Sequence, residues 1–155
     1  LSGAMSSGGD VAAAQVMGAD LAYLGTRFIG TAECLSPDDY KAMLVDSHLG
    51  DIVETDTVSG VNANFIAASL ASAGYSTDGT APEADIAGEL AEAHDAERNR
   101  PTAWRDIWSA GHGVGGITDI PTVAQLVDRL AAEYHAALAA QQQRLATLRV
   151  PAGDG

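Results

Sequence analysis

The residues best suited to chemistry are small residues that follow two short apolar segments. Gly3 and Ala4 precede a Ser-Gly loop and an alanine-rich helix, and Gly25 and Thr26 follow residues 21–24. Small residues let backbone N–H groups approach an anion, a helix N-terminus adds favourable partial charge, and the Thr26 hydroxyl can add a hydrogen bond. The spacing is suited to a phosphate group, although such a glycine loop is more often only a tight turn.

The histidines and the single cysteine give weaker signals. His48, His94 and His135 have no partner at ligand spacing, so they are interpreted as surface or packing residues. His112 lies between glycines in a loop that could cover a pocket, and a catalytic role for it stays open as the less favoured alternative. Cys34 has no adjacent base and is interpreted as a small buried side chain. No Cys/His cluster has metal-ligand spacing, so no metal site is predicted.

A strand–helix–strand unit is expected to position the glycines. Residues 1–4 and 21–24 are interpreted as short strands, the second of them buried, and residues 10–17 as the helix between them, closed by Gly18. Such short links imply a right-handed parallel crossover. Because parallel strands end on the same face of a sheet, the residues that follow the two strands should lie together there.

The rest of the chain is expected to be mainly helical. Ser36 can act as N-cap, and Pro37 fits the first position, of a helix that runs to about residue 46. Residues 52–58 predict a strand, and residues 62–73 predict a helix stopped by Gly74. Residues 83–98 are interpreted as a charged surface helix or a mobile insertion.

The last third of the chain combines aromatic, glycine-rich and amphipathic segments. Trp104 and Trp108 would share a face if helical and are interpreted as core or contact surface. The glycine-rich residues 111–116 cannot form a regular helix without cost. A long helix opened by residues 119–121 carries an apolar stripe: Val123, Leu126, Val127, Leu130, Tyr134, Leu138, Leu145 and Leu148.

Composition excludes several classes of partner. The 155 residues carry a formal charge of −13, which argues against nucleic acid and anionic membranes as partners. With 46% hydrophobic and 19% charged residues, the chain is not a disordered acidic tail. No apolar run in these residues approaches the roughly 20 that cross a bilayer, and no basic-then-apolar segment typical of a signal peptide occurs among them. The single cysteine fits a reducing compartment, and a cytoplasmic location is expected.

Several motifs together resemble the C-terminal half of the nitronate monooxygenase (2-nitropropane dioxygenase-like) family. The most specific is the pattern GADxxxxGTRF, from Gly18 to Phe28. The others are GAMSSGGDVAAA at 3–14, YK at 40–41, DTV at 56–58, WRDIWSAGHGVG at 104–115 and DIP at 119–121. The resemblance covers most of the chain and is weakest over residues 76–100.

The resemblance implies an α/β fold: the last two β/α units of a (β/α)8 TIM barrel plus a mainly helical C-terminal region. Residues 1–35 would contribute the seventh and eighth barrel strands, residues 36–120 a helical and loop region on the substrate side, and residues 121–155 a C-terminal helix and tail. A complete barrel needs about 250 residues, so the chain is expected to be an incomplete piece.

The resemblance also implies FMN as cofactor, held by its phosphate. Gly3 and Ala4 stand where the family usually has a Gly-Gly pair, and Leu24, Gly25 and Thr26 stand in the second phosphate loop. Ala4 departs from the pattern and keeps a backbone contact only if its dihedral angle suits a Cβ. Relatives often have Gln at the position of His112. The family's catalytic His belongs to the portion before Leu1, so no catalytic residue is assigned and activity of this chain alone stays open.

Three functions are compatible with this pattern. The first is oxidation of nitronates by molecular oxygen with FMN, the flavin carrying the redox chemistry. The second is reduction of enoyl thioesters, such as CoA thioesters, with NAD(P)H and FMN. The third is an inactive truncated fragment or helical interaction module, which would associate with itself or with the missing barrel portion.

Overall fold

The computed structural model describes residues 1–77 and 105–148. The predicted helix at 83–98 and Trp104 lie outside these residues. The helices and strands, in chain order, are α1 (Gly8–Val16), α2 (Thr26–Ile29), α3 (Asp38–Asp46), β1 (Ile52–Thr55), β2 (Ala63–Ile66), α4 (Ala67–Ser72) and α5 (Val123–Thr147). Short 3₁₀ helices lie at Leu49–Asp51 and His112–Gly116.

The two segments predicted as the first strands meet at a single parallel bridge. Ser2 pairs with Tyr23, and the Tyr23 N–H donates to the Leu1 carbonyl oxygen at 2.9 Å. The parallel pairing is confirmed, but the predicted burial of residues 21–24 is wrong, because the side chains of Leu21 and Tyr23 are 82% and 73% exposed. Within the described residues no further strand lies beside this bridge, so these side chains have no neighbouring sheet to pack against.

Helix α1 begins at Gly8, two residues earlier than predicted, because the preceding residue, Ser7, is its N-cap. The Ser7 Oγ accepts from the Asp10 N–H at 3.1 Å, and Asp10 Oδ2 accepts from the Ser7 N–H at 2.8 Å, which forms a capping box. The helix ends at Val16, and Gly18 follows with φ of +96°, as its predicted role at the helix end requires.

Helix α5 packs directly on α1 where α1 begins. A Cβ on Gly8 would lie 2.0 Å from the Leu130 carbonyl oxygen, so only glycine permits this approach of the two backbones. Glu133 completes the contact, since its Oε2 accepts from the Gly8 N–H at 2.8 Å. The Tyr134 hydroxyl donates a hydrogen bond to the Gln15 side chain.

Helix α5 begins at Val123, whereas the sequence predicted a start at residues 119–121. The difference arises because Thr122 is its N-cap and forms a capping box with Gln125. The helical spacing of the apolar stripe is confirmed, but Leu126 is its single fully buried member among the described residues. Leu145 and Leu148 are 60% and 70% exposed, because the 25-residue α5 extends well beyond the nine-residue α1. None of the helices in the described ranges is both long and apolar enough to span a bilayer.

The middle of the chain contains an antiparallel hairpin. Strand β1 pairs with β2, with Ile52 opposite Ile66, so the predicted strand at 52–58 is confirmed in shortened form. The predicted helix at 62–73 is wrong in its first half, which forms β2. Phe65 and Ile66 are adjacent and both fully buried, and the Ile66 N–H donates to the Trp108 carbonyl oxygen at 2.9 Å. Burial on both faces and pairing with distant residues override the local helical composition.

Two corrections concern the segments around this hairpin. Ser36 is not the cap of α3; Pro37 holds that position and the helix starts at Asp38. Trp108 lies in an extended stretch beside β2, where Ser109 bridges to Phe65, so it does not present a helical face. The Trp108 ring stacks on Tyr40 with 5.1 Å between centroids, at the edge of a core cluster of Tyr40, Leu44, Ile66, Ala110 and Val114.

Acid is expected to destabilise α1 through Asp10. Burial raises the pKa of Asp10, but hydrogen bonds from Ser6 and Ser7 outweigh it and hold the pKa below its usual 3.8. Because the folded-state pKa is the lower one, this stabilisation is present at neutral pH and is lost as the pH falls below about 4. Melting temperatures measured between about pH 6 and pH 2 should therefore fall less steeply in Asp10→Asn than in the wild type. Asp20→Asn, on an exposed turn, is the control for charge; an Asp10→Asn profile as steep as the wild-type profile contradicts the prediction.

Candidate functional site

The residues after the two bridged segments surround one cavity of about 170 Å³. Gly3 and Ala4 from the first segment and Gly25 and Thr26 from the second lie together there, whereas Leu24 precedes them without lining the cavity. The parallel bridge between Ser2 and Tyr23 brings the two loops to the same side. The full lining consists of Ser2, Gly3, Ala4, Met5, Tyr23, Gly25, Thr26, Gly111 and Gly113.

The first loop has a left-handed backbone at two consecutive residues. Gly3 has φ of +95°, which glycine adopts freely, and Ala4 has φ of +55°. Ala4 therefore occupies the small left-handed region open to residues with a Cβ, at a cost of about 1–2 kcal/mol. The alanine that replaces the usual glycine is accommodated, with local strain at the cavity wall.

The second loop contributes a hydroxyl whose orientation is set from elsewhere. Thr26 Oγ1 accepts from the Gly111 N–H at 2.9 Å. Within the described residues this hydroxyl makes no other hydrogen bond, so its own O–H can donate to a ligand. A Cβ on Gly25 would meet no atom within 4 Å, so the backbone there borders open space.

A third segment, not assigned to the site from the sequence, completes the cavity. A Cβ on Gly113 would lie 2.9 Å from the carbonyl carbon of Ala4 and 3.1 Å from the Met5 nitrogen. Gly116 is similarly close to Ser6, since its Cβ would lie 2.1 Å from the Ser6 Oγ. The recurring glycines of residues 111–116 were the available signal. His112 itself is exposed and is not among the lining residues.

The expected contribution of the α1 N-terminus to anion binding is wrong. Asp10 accepts from the N–H groups of Ser6 and Ser7, and Glu133 accepts from the N–H of Gly8. Two carboxylates of the chain therefore take the positions that an anion would need at this helix end. Neither Asp10 nor Glu133 is among the nine residues that line the cavity, and all nine are uncharged.

The remaining candidate residues do not form a site in the described part of the chain. His48 is exposed, and the His135 ring packs edge-on against Tyr134 at 5.4 Å. Cys34 is a free thiol and is half-buried, less enclosed than expected. The described ranges contain no group of three or more His, Cys, Asp or Glu residues that could hold a metal ion. His94 lies outside them.

A charged network lies directly behind the second loop. Arg27 is 2% exposed, and its guanidinium donates to Asp119 Oδ1 at 3.0 Å and to the Gly30 carbonyl oxygen at 3.1 Å. Arg129 of α5 binds both oxygens of Asp119, at 2.8 and 2.6 Å. Burial lowers the pKa of Arg27, and the hydrogen bonds from Arg129 lower the pKa of Asp119. Asp119 is therefore ionised at neutral pH, and it is shared between the two guanidinium groups.

Comparison with solved structures shows the fold. The chain superposes on a single-residue variant of FabK from Thermotoga maritima with a TM-score of 0.66 and 23% identity, over 92% of this chain and 42% of the other. FabK from the same organism superposes with a TM-score of 0.65 and 21% identity, over 92% of this chain and 46% of FabK. Nitroalkane oxidase from Streptomyces ansochromogenes superposes with a TM-score of 0.65 and 28% identity, over 90% of this chain and 40% of the oxidase. The chain thus spans less than half the length of these proteins.

Comparison of sequences shows the family. No curated protein matches the chain. The sequence model of the nitronate monooxygenase family matches residues 2–133, which include all three segments of the cavity and every motif quoted above. The resemblance inferred from those motifs is thereby confirmed: the chain belongs to the nitronate monooxygenase family, a family of flavin-dependent oxidoreductases.

Proposed function

We propose that this chain provides the phosphate-anchoring part of an FMN site in an oxidoreductase that oxidises nitronates with molecular oxygen. The observation that carries the proposal is the cavity at which Gly3–Ala4 and Gly25–Thr26 meet. Membership of the nitronate monooxygenase family and the 28% identity to a nitroalkane oxidase support it.

The donors around the cavity suit a phosphate group. Backbone N–H groups of Ala4, Gly25 and Thr26 form no hydrogen bond within the described residues, and the Thr26 hydroxyl retains a proton to donate. Such an uncharged set of donors is typical of backbone anion sites. When bound, the flavin would supply the redox chemistry, and these residues would bind and orient its phosphate. We assign no catalytic residue in this chain.

The same proposal includes the architecture. Residues 1–35 are placed as the last two β/α units of a TIM barrel, with the short α2 following the eighth strand, where barrels commonly bind phosphate. Residues 36–120 are placed on the substrate side, and residues 121–155 as the C-terminal helix and tail. The parallel bridge and the packing of α5 on α1 support this placement. The single cysteine favours the reducing cytoplasm.

A comparison of FMN with riboflavin tests the phosphate role. We expect the purified chain to bind FMN at least about tenfold more tightly than riboflavin, since charge-assisted hydrogen bonds reach the phosphate alone. Thr26→Val should remove about tenfold of the FMN affinity and leave riboflavin affinity unchanged. Thr26→Ser keeps the hydroxyl and is the matched control. Quenching of flavin fluorescence gives all the dissociation constants; equal constants for the two flavins contradict the proposal.

Two further assays separate the alternative functions. In a protein that supplies the rest of the proposed barrel, oxygen consumption with a nitronate is expected, whereas NAD(P)H oxidation driven by an enoyl-CoA would favour the reductase instead. A purified chain that binds neither flavin and turns over neither substrate would support the inactive module.

A further inference from the structure

Helix α2 and its N-cap carry two of the cavity residues, Thr26 and Gly25, but the helix has little to stabilise itself. It is a single turn of four residues, and its cap, Gly25, provides no side-chain hydrogen bond. An isolated helical turn does not hold its conformation in water. The position of Thr26 must therefore be fixed by contacts outside α2.

One of these contacts is the hydrogen bond that Thr26 Oγ1 accepts from the Gly111 N–H. The others are made by the side chain of Arg27, the next residue of α2, which reaches residues outside the turn. Its side chain is buried behind the turn and returns to the Gly30 carbonyl oxygen, which closes the loop that follows Thr26. A Cβ on Gly30 would lie 3.2 Å from Ile117 Cγ2, so the end of the turn also packs against the segment that leads to Asp119. Arg27 does not line the cavity, so it is not itself placed to contact the phosphate.

Asp119 connects this turn to the long helix. It accepts from Arg27 on one oxygen and from Arg129 of α5 on both. Asp119 and Arg129 are 43% and 41% exposed, whereas Arg27 is almost fully enclosed. A buried guanidinium that loses its carboxylate partner moves to find another or draws in water, and the residues on either side of it move too.

We propose that Asp119 is a positioning residue for FMN, because it holds the Gly25–Thr26 turn in its phosphate-binding conformation through Arg27. This inference rests on the proposed function. Asp119 would contact neither the flavin nor its phosphate. Arg129 would act one step further away, by fixing Asp119 to α5.

The test uses the full chain and measures the FMN and riboflavin dissociation constants and the melting temperature of Asp119→Asn. We expect FMN affinity to fall by about tenfold while riboflavin affinity stays within about twofold, so that the preference for FMN is lost. Asp128→Asn, on the exposed side of α5, removes the same charge and should keep the preference. A lower melting temperature with an unchanged preference shows a purely structural role and overturns the inference.

A second variant keeps the inference testable if Asp119→Asn does not fold. Arg129→Met leaves the Arg27–Asp119 pair in place and removes only the outer support, so FMN affinity should fall by about threefold with riboflavin unaffected. Unchanged FMN affinity in this variant overturns the connection to α5. If the wild-type chain shows no preference for FMN over riboflavin, the proposed function is refuted, and the inference with it. If Thr26→Val loses the preference but the Asp119 and Arg129 variants keep it, the inference alone is refuted.

Discussion

Replacing Gly8 with alanine is expected to lower the free energy of unfolding by about 3 kcal/mol, the upper range for overpacking. The new Cβ would lie 2.0 Å from the Leu130 carbonyl oxygen and 2.5 Å from the Tyr134 nitrogen. Both atoms are backbone atoms of α5, so no side-chain rotation can relieve the overlap. Helix α5 would have to move away from α1, and the hydrogen bond from Gly8 to Glu133 would be lost with it.

The neighbouring glycine provides a matched control. The nearest atom to a Cβ on Gly9 would be the Ser7 Oγ at 3.5 Å, an ordinary contact. Alanine is favoured over glycine in a helix by about 0.5–1 kcal/mol, so Gly9→Ala should be neutral or slightly stabilising. Urea denaturation of both variants measures the difference. Equal stability of the two would show that α5 does not pack on α1 as described.

The second large effect is expected at Gly113. Its replacement with alanine would place a Cβ 2.9 Å from the Ala4 carbonyl carbon and 3.1 Å from the Met5 nitrogen, both in the first cavity loop. Because Ala4 already has a strained backbone, we expect the first cavity loop to shift, so that its N–H groups no longer donate hydrogen bonds to the phosphate. We expect the FMN dissociation constant to rise by about a hundredfold, which corresponds to the loss of one or two charge-assisted hydrogen bonds.

Gly115, in the same 3₁₀ helix, provides the comparison. Its Cβ would lie 3.8 Å from the Leu49 nitrogen, an ordinary van der Waals distance, so Gly115→Ala should bind FMN like the wild type. Fluorescence titration of both variants with FMN and riboflavin measures the effect. If Gly113→Ala retained wild-type affinity for FMN, the third segment would have no part in the phosphate site.

The elements that were predicted correctly are those specified by nearby residues. Gly18 and Gly74 have the positive φ angles expected at helix ends, and α5 follows its apolar repeat. Strand β2 was missed because residues 63–66 become extended through pairing with β1 and contact with Trp108, which lies more than 40 positions later. Local composition cannot contain such a partner, and alanine-rich sequence after it favours a helix.

The site divides in the same way. The meeting of Gly3–Ala4 with Gly25–Thr26 was predictable, because one rule about parallel strands connects them. Gly111 was missed because it reaches Thr26 across 85 positions, and no local pattern indicates that contact. The closure of the α1 N-terminus by Glu133, 125 positions away from Gly8, was missed for the same reason.

That separation also bears on the order of folding. The hairpin of β1 and β2 joins Ile52 to Ile66 across 14 positions, whereas the contact of α1 with α5 joins residues 125 positions apart. Each doubling of loop length adds about 0.6 kcal/mol of closure entropy, so the second contact costs about 2 kcal/mol more to form. Because distant contacts slow folding, the hairpin should form early and α5 should dock on α1 late. The glycine contact at Gly8 is then a feature of the finished molecule, and its loss would mainly accelerate unfolding.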